Sequence, residues 1–341
     1  MVHLIHLEYL LRAVTVYKKK PMILRYVSAQ PATKYYAWQV EVMLNNFITV
    51  GINLNYVDIV CWKPDGIVPP EWSKLAQGYA ARFFFYDDKR ITKFYVSSIR
   101  PNILKQHFKE HPYLSKDAIF YHDCDIVFTK QLIMGPFLYD DKWYGSDTRF
   151  YISHDYIISK GKDVLDKMCK IVGIKKSVVK KNEMNCIGAQ YLMKNIDWVF
   201  WENVERDSEI LFKEITDLNN EKMIMDRHTM SPGEARQPYH PLQIWCADMW
   251  AVLWNGWKMG VETVVHKDFE FAWATSHVRD WDKCYIYHNA GATGQIKGMF
   301  FKSDFMDEYP YNKELDLDKS FASYNYWELI QDTGKKSVLC V

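Results

Sequence analysis

The sequence predicts an α/β fold: a mainly parallel sheet flanked by helices, held in one large domain over 22–300. Three observations lead there. Short β-branched and aromatic runs alternate with stretches of helical apolar spacing, in the order strand, helix, strand, strand, helix, strand. Those strand runs are apolar almost throughout, as strands covered by helices on both faces must be. The last of them, 119–130, carries two aspartates one residue apart, Asp123 and Asp125, near its carboxyl end, where ligands bind in such sheets.

The elements follow in order. Ile23–Ala29 reads as a strand closed by Gln30-Pro31, and Tyr36–Val50 as a helix ended by Gly51. Asn55–Trp62 is a second strand, stopped by the turn residues Pro64-Asp65-Gly66. Arg82–Tyr86 is a third strand running into Asp87-Asp88, and Ile99–His107 is a helix with Ser97, Ser98 and Pro101 about its first turn. In the second half, Lys162–Val172, Ala189–Lys194 and Trp198–Lys213 read as helical. Residues 214–240 are polar, carry Pro232, Gly233 and Pro238, and read as an excursion. The segment 1–21 holds an amphipathic helix over Leu4–Tyr17, and 301–341 forms a C-terminal extension.

Composition narrows the function classes. A hydrophobic content of 48% supports a substantial core, and a formal net charge of +1 does not announce a polyanionic partner. Lysines cluster locally at Lys18–Lys20 and at Lys175, Lys176, Lys180 and Lys181; such runs are usually solvated faces. Seven cysteines without Cys-x-x-Cys spacing point to free thiols in a reducing compartment. No run of 18 apolar residues occurs, so no membrane span is expected and the reading is of a cytoplasmic enzyme. The Gly-x-Gly-x-x-Gly fingerprint and the Walker A loop are both missing, which disfavours a dehydrogenase or an ordinary ATPase.

Chemistry concentrates in four segments. Strand alternation points Asp123 and Asp125 to one side, where two carboxylates suit Mn²⁺ or Mg²⁺ with positions left open for phosphate oxygens. Asn185-Cys-Ile-Gly-Ala-Gln190 is a small-residue turn that lets backbone approach a ligand. Asp248 opens a very apolar helix, either as a cap or as a site acid. Ile286-Tyr-His288-Asn-Ala-Gly291-Ala-Thr-Gly294-Gln-Ile-Lys297 ends a strand in histidine, then supplies glycines and a lysine, as a metal-and-phosphate loop would.

The order of these pieces resembles the retaining GT-A glycosyltransferases of the glycogenin and bacterial lipopolysaccharide galactosyltransferase type. The resemblance implies a Rossmann-like GT-A fold and transfer from a UDP-sugar to an acceptor hydroxyl. It implies a site in which Asp123, Asp125 and His288 hold the metal while Gly291 and Lys297 hold phosphates. Gln190 would face the reacting sugar, and Asp248 the donor-sugar hydroxyls or the acceptor. Ser28 and Gln30 after the first strand, Asp87 and Asp88 after the third, and Ser98 and Arg100 on the following helix would meet the nucleotide. The chain departs from the family's pattern in its longer intervals, in Met249 following Asp248 where the family has glutamine, and in the late position of Lys297. Stretches such as Tyr26-Val-Ser-Ala-Gln-Pro-Ala-Thr, Tyr144-Gly-Ser-Asp-Thr and Phe300-Phe-Lys-Ser-Asp also resemble glycosyltransferases of tailed bacteriophages. That second resemblance implies an enzyme of the host cytoplasm with hydroxymethylated DNA, through 5-hydroxymethylcytosine, as partner and acceptor. A glycan or protein acceptor, a non-catalytic sugar- or nucleotide-binding protein and a metal-dependent nucleotidyltransferase are the alternatives.

Overall fold

A computed structural model describes residues 21–229, 238–292 and 294–340. The main sheet has seven strands: β1 (Leu24–Pro31), β2 (Val57–Trp62), β3 (Arg82–Tyr86), β4 (Ala118–His122), β6 (Trp143–Asp147), β7 (Ile187–Met193) and β8 (Thr263–Val265). They lie in the order β3-β2-β1-β4-β7-β6-β8. The first four are mutually parallel, β7 runs antiparallel to both β4 and β6, and β8 is parallel to β6. A second sheet of three short strands joins β5 (Ile126–Phe128), β9 (Phe271–Trp273) and β10 (Ile286–His288). The expected fold class, a mixed and mostly parallel α/β sheet between helices, is therefore present.

Alternation along the strands builds a core on each face. On one side, Tyr26, Ile59 and Phe120 pack with Trp38 and Phe47 of α1 (Lys34–Thr49). On the other, Val27, Val60 and Tyr121 meet Ile103 of α3 (Ile99–Glu110), Trp201 of α5 (Trp198–Thr229) and Trp250 of α6 (Ala247–Lys258). Helix α2 spans Pro70–Gly78 and helix α4 spans Lys162–Val172. Each of these buried side chains contributes roughly 1.5–3 kcal/mol of transfer free energy, so both faces hold the sheet firmly.

Four sequence expectations change. The run 189–194 is strand through Met193, not helix: it forms the greater part of β7, clamped between β4 and β6, and that pairing decides a short apolar run whose periodicity is ambiguous. Most of the expected excursion over 214–240 is helix, because α5 continues through Thr229. Leu211, Ile215 and Leu218 keep its apolar face going, and Asn219 closes it by bonding both the N–H and the carbonyl of Leu242. Residues 230–237 lie outside the described residues, as does the amphipathic segment before Pro21. The aspartates are not on a strand: β4 ends at His122 and β5 begins at Ile126, so Asp123-Cys124-Asp125 is the turn between two sheets. Finally, 301–341 is no appendage. Helix α7 (Ala322–Gly334) puts Tyr326, Trp327 and Ile330 into the α1 core. The buried Glu41 accepts from Tyr311 Oη at 2.7 Å, Ser337 Oγ at 2.6 Å and the Val338 N–H at 2.7 Å, which ties the end of the chain to α1.

Candidate active site

The carboxyl ends of β1 and β4 stand side by side, with Ser28 and His122 in register, so Gln30-Pro31 leaves the sheet beside the Asp123–Asp125 turn. The small sheet delivers the histidine. β10 pairs with β5 so that His288 lies opposite Ile126, and the Asn289 N–H donates to the Asp125 carbonyl at 3.0 Å. This seats His288 Nε2 at 3.3 Å from Asp125 Oδ1 and 3.5 Å from Asp123 Oδ2. One donor atom from each of the three residues lies within 4.8 Å of the others. Donors arranged about one divalent cation are about 3 Å apart or more, so two carboxylates and an imidazole in this array fit a hard or borderline cation.

Two fixed cations close the site. Arg100, in the first turn of α3, donates from Nη1 to Asp123 Oδ1 and from Nη2 to Asp248 Oδ2, each at 2.5 Å. Lys302 Nζ is bonded to Asp125 Oδ2. Burial by itself would raise the Asp125 carboxyl, but the Lys302 ammonium and His288 outweigh it and hold that acid well below the usual carboxylate range. Burial would likewise lower Lys302 and Arg100, and the facing carboxylates reverse it, keeping both charged. Three carboxylates against two cations leave one net negative charge. A divalent ion turns the balance positive, the sign that binds a diphosphate.

Asp248 does not cap its helix and instead lines a cavity. Cys246 holds the N-cap position of α6, while Asp248 accepts from Arg100 and, at 2.8 Å, from Tyr95 Oη. Three cavities meet at Lys302. A first, of about 220 Å³, lies among Gln30, Tyr35, Tyr36, Arg100 and Asp123. A second, of about 380 Å³, is walled by Tyr95, Tyr121, Tyr191 and Asp248. A third, of about 390 Å³, opens between Trp245, Trp273, Asn289, Gly291 and Phe301. Gly291 has a φ of +78°, and a Cβ there would come within 3.2 Å of the Trp273 ring, so the tight turn requires glycine.

The remaining sequence candidates are distributed unevenly. Gln30 lines the first cavity. Its Nε2 is held by the Val60 carbonyl at 3.3 Å and Cys61 Sγ at 3.4 Å, and its Oε1 has no partner. Ser28 lies buried behind it, with Oγ also unpartnered. Asp88 is drawn away into pairs with Arg90 and Lys93, both at 2.9 Å, and Asp87 pairs with Lys63 at 3.2 Å. Ser98 Oγ donates to Glu209 and holds the loop before α3. Gln190 is fully buried, with Nε2 on the Phe269 carbonyl at 3.1 Å, and its neighbours Ala189 and Tyr191 line the cavity in its place. Lys297 is exposed and lines none of the three cavities, whereas Lys302, five residues later, lines all three. No pattern in the sequence marks Lys302, which follows the core residue Phe300 and the cavity-lining Phe301 as one more lysine. Tyr95, Trp245 and Trp273 carried no distinguishing signal in an aromatic-rich chain.

No family model matches the chain, and no curated protein matches it in sequence. Solved structures do. The bifunctional glycosyltransferase WbbM in its apo form matches at 11% identity and a TM-score of 0.46, over 94% of this chain. This chain spans about half, 51%, of the length of WbbM. The galactosyltransferase LgtC, solved with donor and acceptor sugar analogues, matches at 11% identity and a TM-score of 0.40, over 90% of this chain and 95% of its own. Mouse xyloside xylosyltransferase 1, apo, matches at 10% identity and a TM-score of 0.39, over 79% and 98%. All three are glycosyltransferases matched at low identity, and the functional reading is built from the side chains of the site.

Proposed function

We propose that the chain is a metal-dependent glycosyltransferase that moves a sugar from a UDP-sugar to an acceptor hydroxyl. The observation that carries this is the convergence of Asp123, Asp125 and His288 with Arg100 and Lys302, where the three cavities meet at the carboxyl end of the sheet. The nucleoside belongs to the first cavity, with Tyr35 and Tyr36 as ring surfaces and the free Gln30 Oε1 as acceptor for a base N–H. A Mn²⁺ or Mg²⁺ ion held by Asp123, Asp125 and His288 supplies Lewis-acid neutralisation of the diphosphate. Lys302 adds a positive charge aimed at the same leaving group, the kind of preorganised electrostatic term that dominates such reactions.

The donor sugar falls between Asp248 and Lys302 in the second cavity, and the acceptor enters through the third. There Asn289 Nδ2 is buried and unpartnered, ready to hold an acceptor oxygen, and Trp245 and Trp273 give it aromatic walls. Retention of configuration is the favoured course. The carboxylates lining the cavities, Asp123, Asp125 and Asp248, are all engaged by cations, which leaves none placed as a free general base for inversion. Among the described residues, Arg100 and Lys302 are the only lysine or arginine side chains lining the cavities, and both are paired, so the expectation of a DNA acceptor gains no support from the site. A glycan or protein hydroxyl suits the walls better.

The test is nucleoside diphosphate release from a panel of nucleotide sugars with Mn²⁺, followed by NMR of the product anomer. UDP release with a retained anomeric centre is expected. Pyrophosphate release in place of UDP would make the chain a nucleotidyltransferase, and binding without turnover would make it a binding protein.

A further inference from the structure

The loop between β3 and α3 forms neither helix nor strand over residues 87–95, yet it supplies Tyr95, Val96 and Ser97 to the second cavity. Its backbone has no ladder to fix it and must be held from elsewhere. Glu209 of α5 does so from outside the site, being 2% exposed and lining none of the three cavities. Its carboxylate accepts from the Phe94 N–H at 2.7 Å, from the Tyr95 N–H at 3.3 Å and from Ser98 Oγ. All three donors belong to this loop, and none is charged. Removing them would leave a buried carboxylate short of partners, which is costly, so the acid and the loop fix each other.

Two further contacts narrow what is being held. Arg90 Nη1 donates to the Tyr95 carbonyl at 3.1 Å and to Ser98 Oγ at 3.0 Å, bracing the same turn. Phe212, three residues beyond Glu209 on α5, stacks on the Tyr95 ring with centroids 4.9 Å apart. Tyr95 in turn reaches the chemistry. Its Oη lies 2.8 Å from Asp248 Oδ1, while Arg100 takes Oδ2 of the same carboxylate. Arg100 stands in the first turn of α3, directly after the N-cap Ser98 that Glu209 grips. Asp248 is thus oriented on both oxygens by groups whose backbone Glu209 anchors.

We propose that Glu209 is a positioning residue that fixes Tyr95 and the first turn of α3, and through them sets Asp248 against the donor sugar. The role in turnover rests on the glycosyltransferase reading, in which the second cavity holds that sugar. The experiment compares the full chain with Glu209→Ala, Glu209→Gln, Tyr95→Phe and Glu209→Gln/Tyr95→Phe, by UDP release with Mn²⁺ and by amide hydrogen exchange of the free proteins. Glu209→Ala should lower kcat by about 10²-fold, the loss that a misplacement of about 1 Å can bring. Glu209→Gln keeps the length and one acceptor oxygen, so about tenfold is expected of it. UDP affinity by calorimetry should change by about threefold or less, since Asp123, Asp125, His288 and Gln30 stand outside the loop. Because Glu209 acts through Tyr95, the double variant should lose little more than the larger of its two single variants. Exchange should quicken at residues 94–98 in both Glu209 variants and keep the wild-type pattern in the main sheet, which reports an intact fold. Wild-type kcat in Glu209→Gln, losses that multiply in the double variant, or unchanged exchange at 94–98 overturns the proposal. A wild type that turns over no donor sinks the glycosyltransferase reading instead, and exchange at 94–98 then decides by itself whether Glu209 holds the loop.

Discussion

Replacing Lys302 with methionine removes the ammonium bonded to Asp125 and keeps the side chain's length. Breaking a buried ion pair costs about 3–5 kcal/mol, mostly because the other charge is left behind. Lys302 is 26% exposed on its side chain, whereas Asp125 is 5% exposed, so solvent relieves part of that cost and about 2 kcal/mol is the working figure. In a chain of this size that lowers Tm by about 3 °C. Mn²⁺ should restore most of the loss, because the ion supplies to Asp125 the charge that Lys302 supplied. Turnover is a separate matter: loss of one preorganised electrostatic group at the leaving diphosphate should reduce kcat by about 10²–10³ even with saturating metal. Thermal unfolding with and without Mn²⁺, together with a UDP-release assay, reads both effects. A variant as stable as wild type without metal, and turning over donor at the wild-type rate, would refute the role given to Lys302.

Three further outcomes follow from the geometry. Gln190→Ala should cost about 1–3 kcal/mol in denaturant unfolding, since it strands the Phe269 carbonyl, and should leave kcat unchanged; a large loss of kcat at intact stability would return Gln190 to the site. Asp248→Asn should lower kcat by about 10² while UDP affinity, measured by calorimetry, stays near wild type, because Asp248 lines the second cavity and not the first. The buried His107 is held below the ordinary histidine range, chiefly by desolvation. The unfolded chain therefore takes up this proton first as pH falls. The stability concerned is fully present above about pH 6.5 and is lost below it, with a slope of at most about 1.4 kcal/mol per pH unit. His107→Gln should flatten that part of a stability–pH profile obtained by denaturant titration.

Much of the architecture was written in local patterns. The run Arg82–Tyr86 and the helix Lys162–Val172 begin and end where apolar periodicity and turn residues place them. Residues 189–194 went astray because so short a run, Ala-Gln-Tyr-Leu-Met-Lys, carries no decisive period of its own; pairing with β4 and β6 settles it. The aspartate pair and His288 were visible because acids on an apolar run, and a histidine before glycines, are costly without a function. Lys302 was not, because its meaning lies in the Asp125 carboxylate and the His288 ring that the fold brings beside it. Gln190 looked like a site residue by position, and the bulge between Gly145 and Ser146 with Ala189 at a φ of +63° left it buried behind the cavity wall.

The central claim is that Asp123, Asp125 and His288 hold a divalent cation for a nucleoside diphosphate, and electron paramagnetic resonance of free Mn²⁺ tests it most directly. Titrated into the full chain, Mn²⁺ should occupy one site, bind more tightly when UDP is present, and lose that site in Asp125→Ala while the fold persists. Mn²⁺ that stays free in the presence of the protein and UDP, or binds Asp125→Ala as well as wild type, would contradict it.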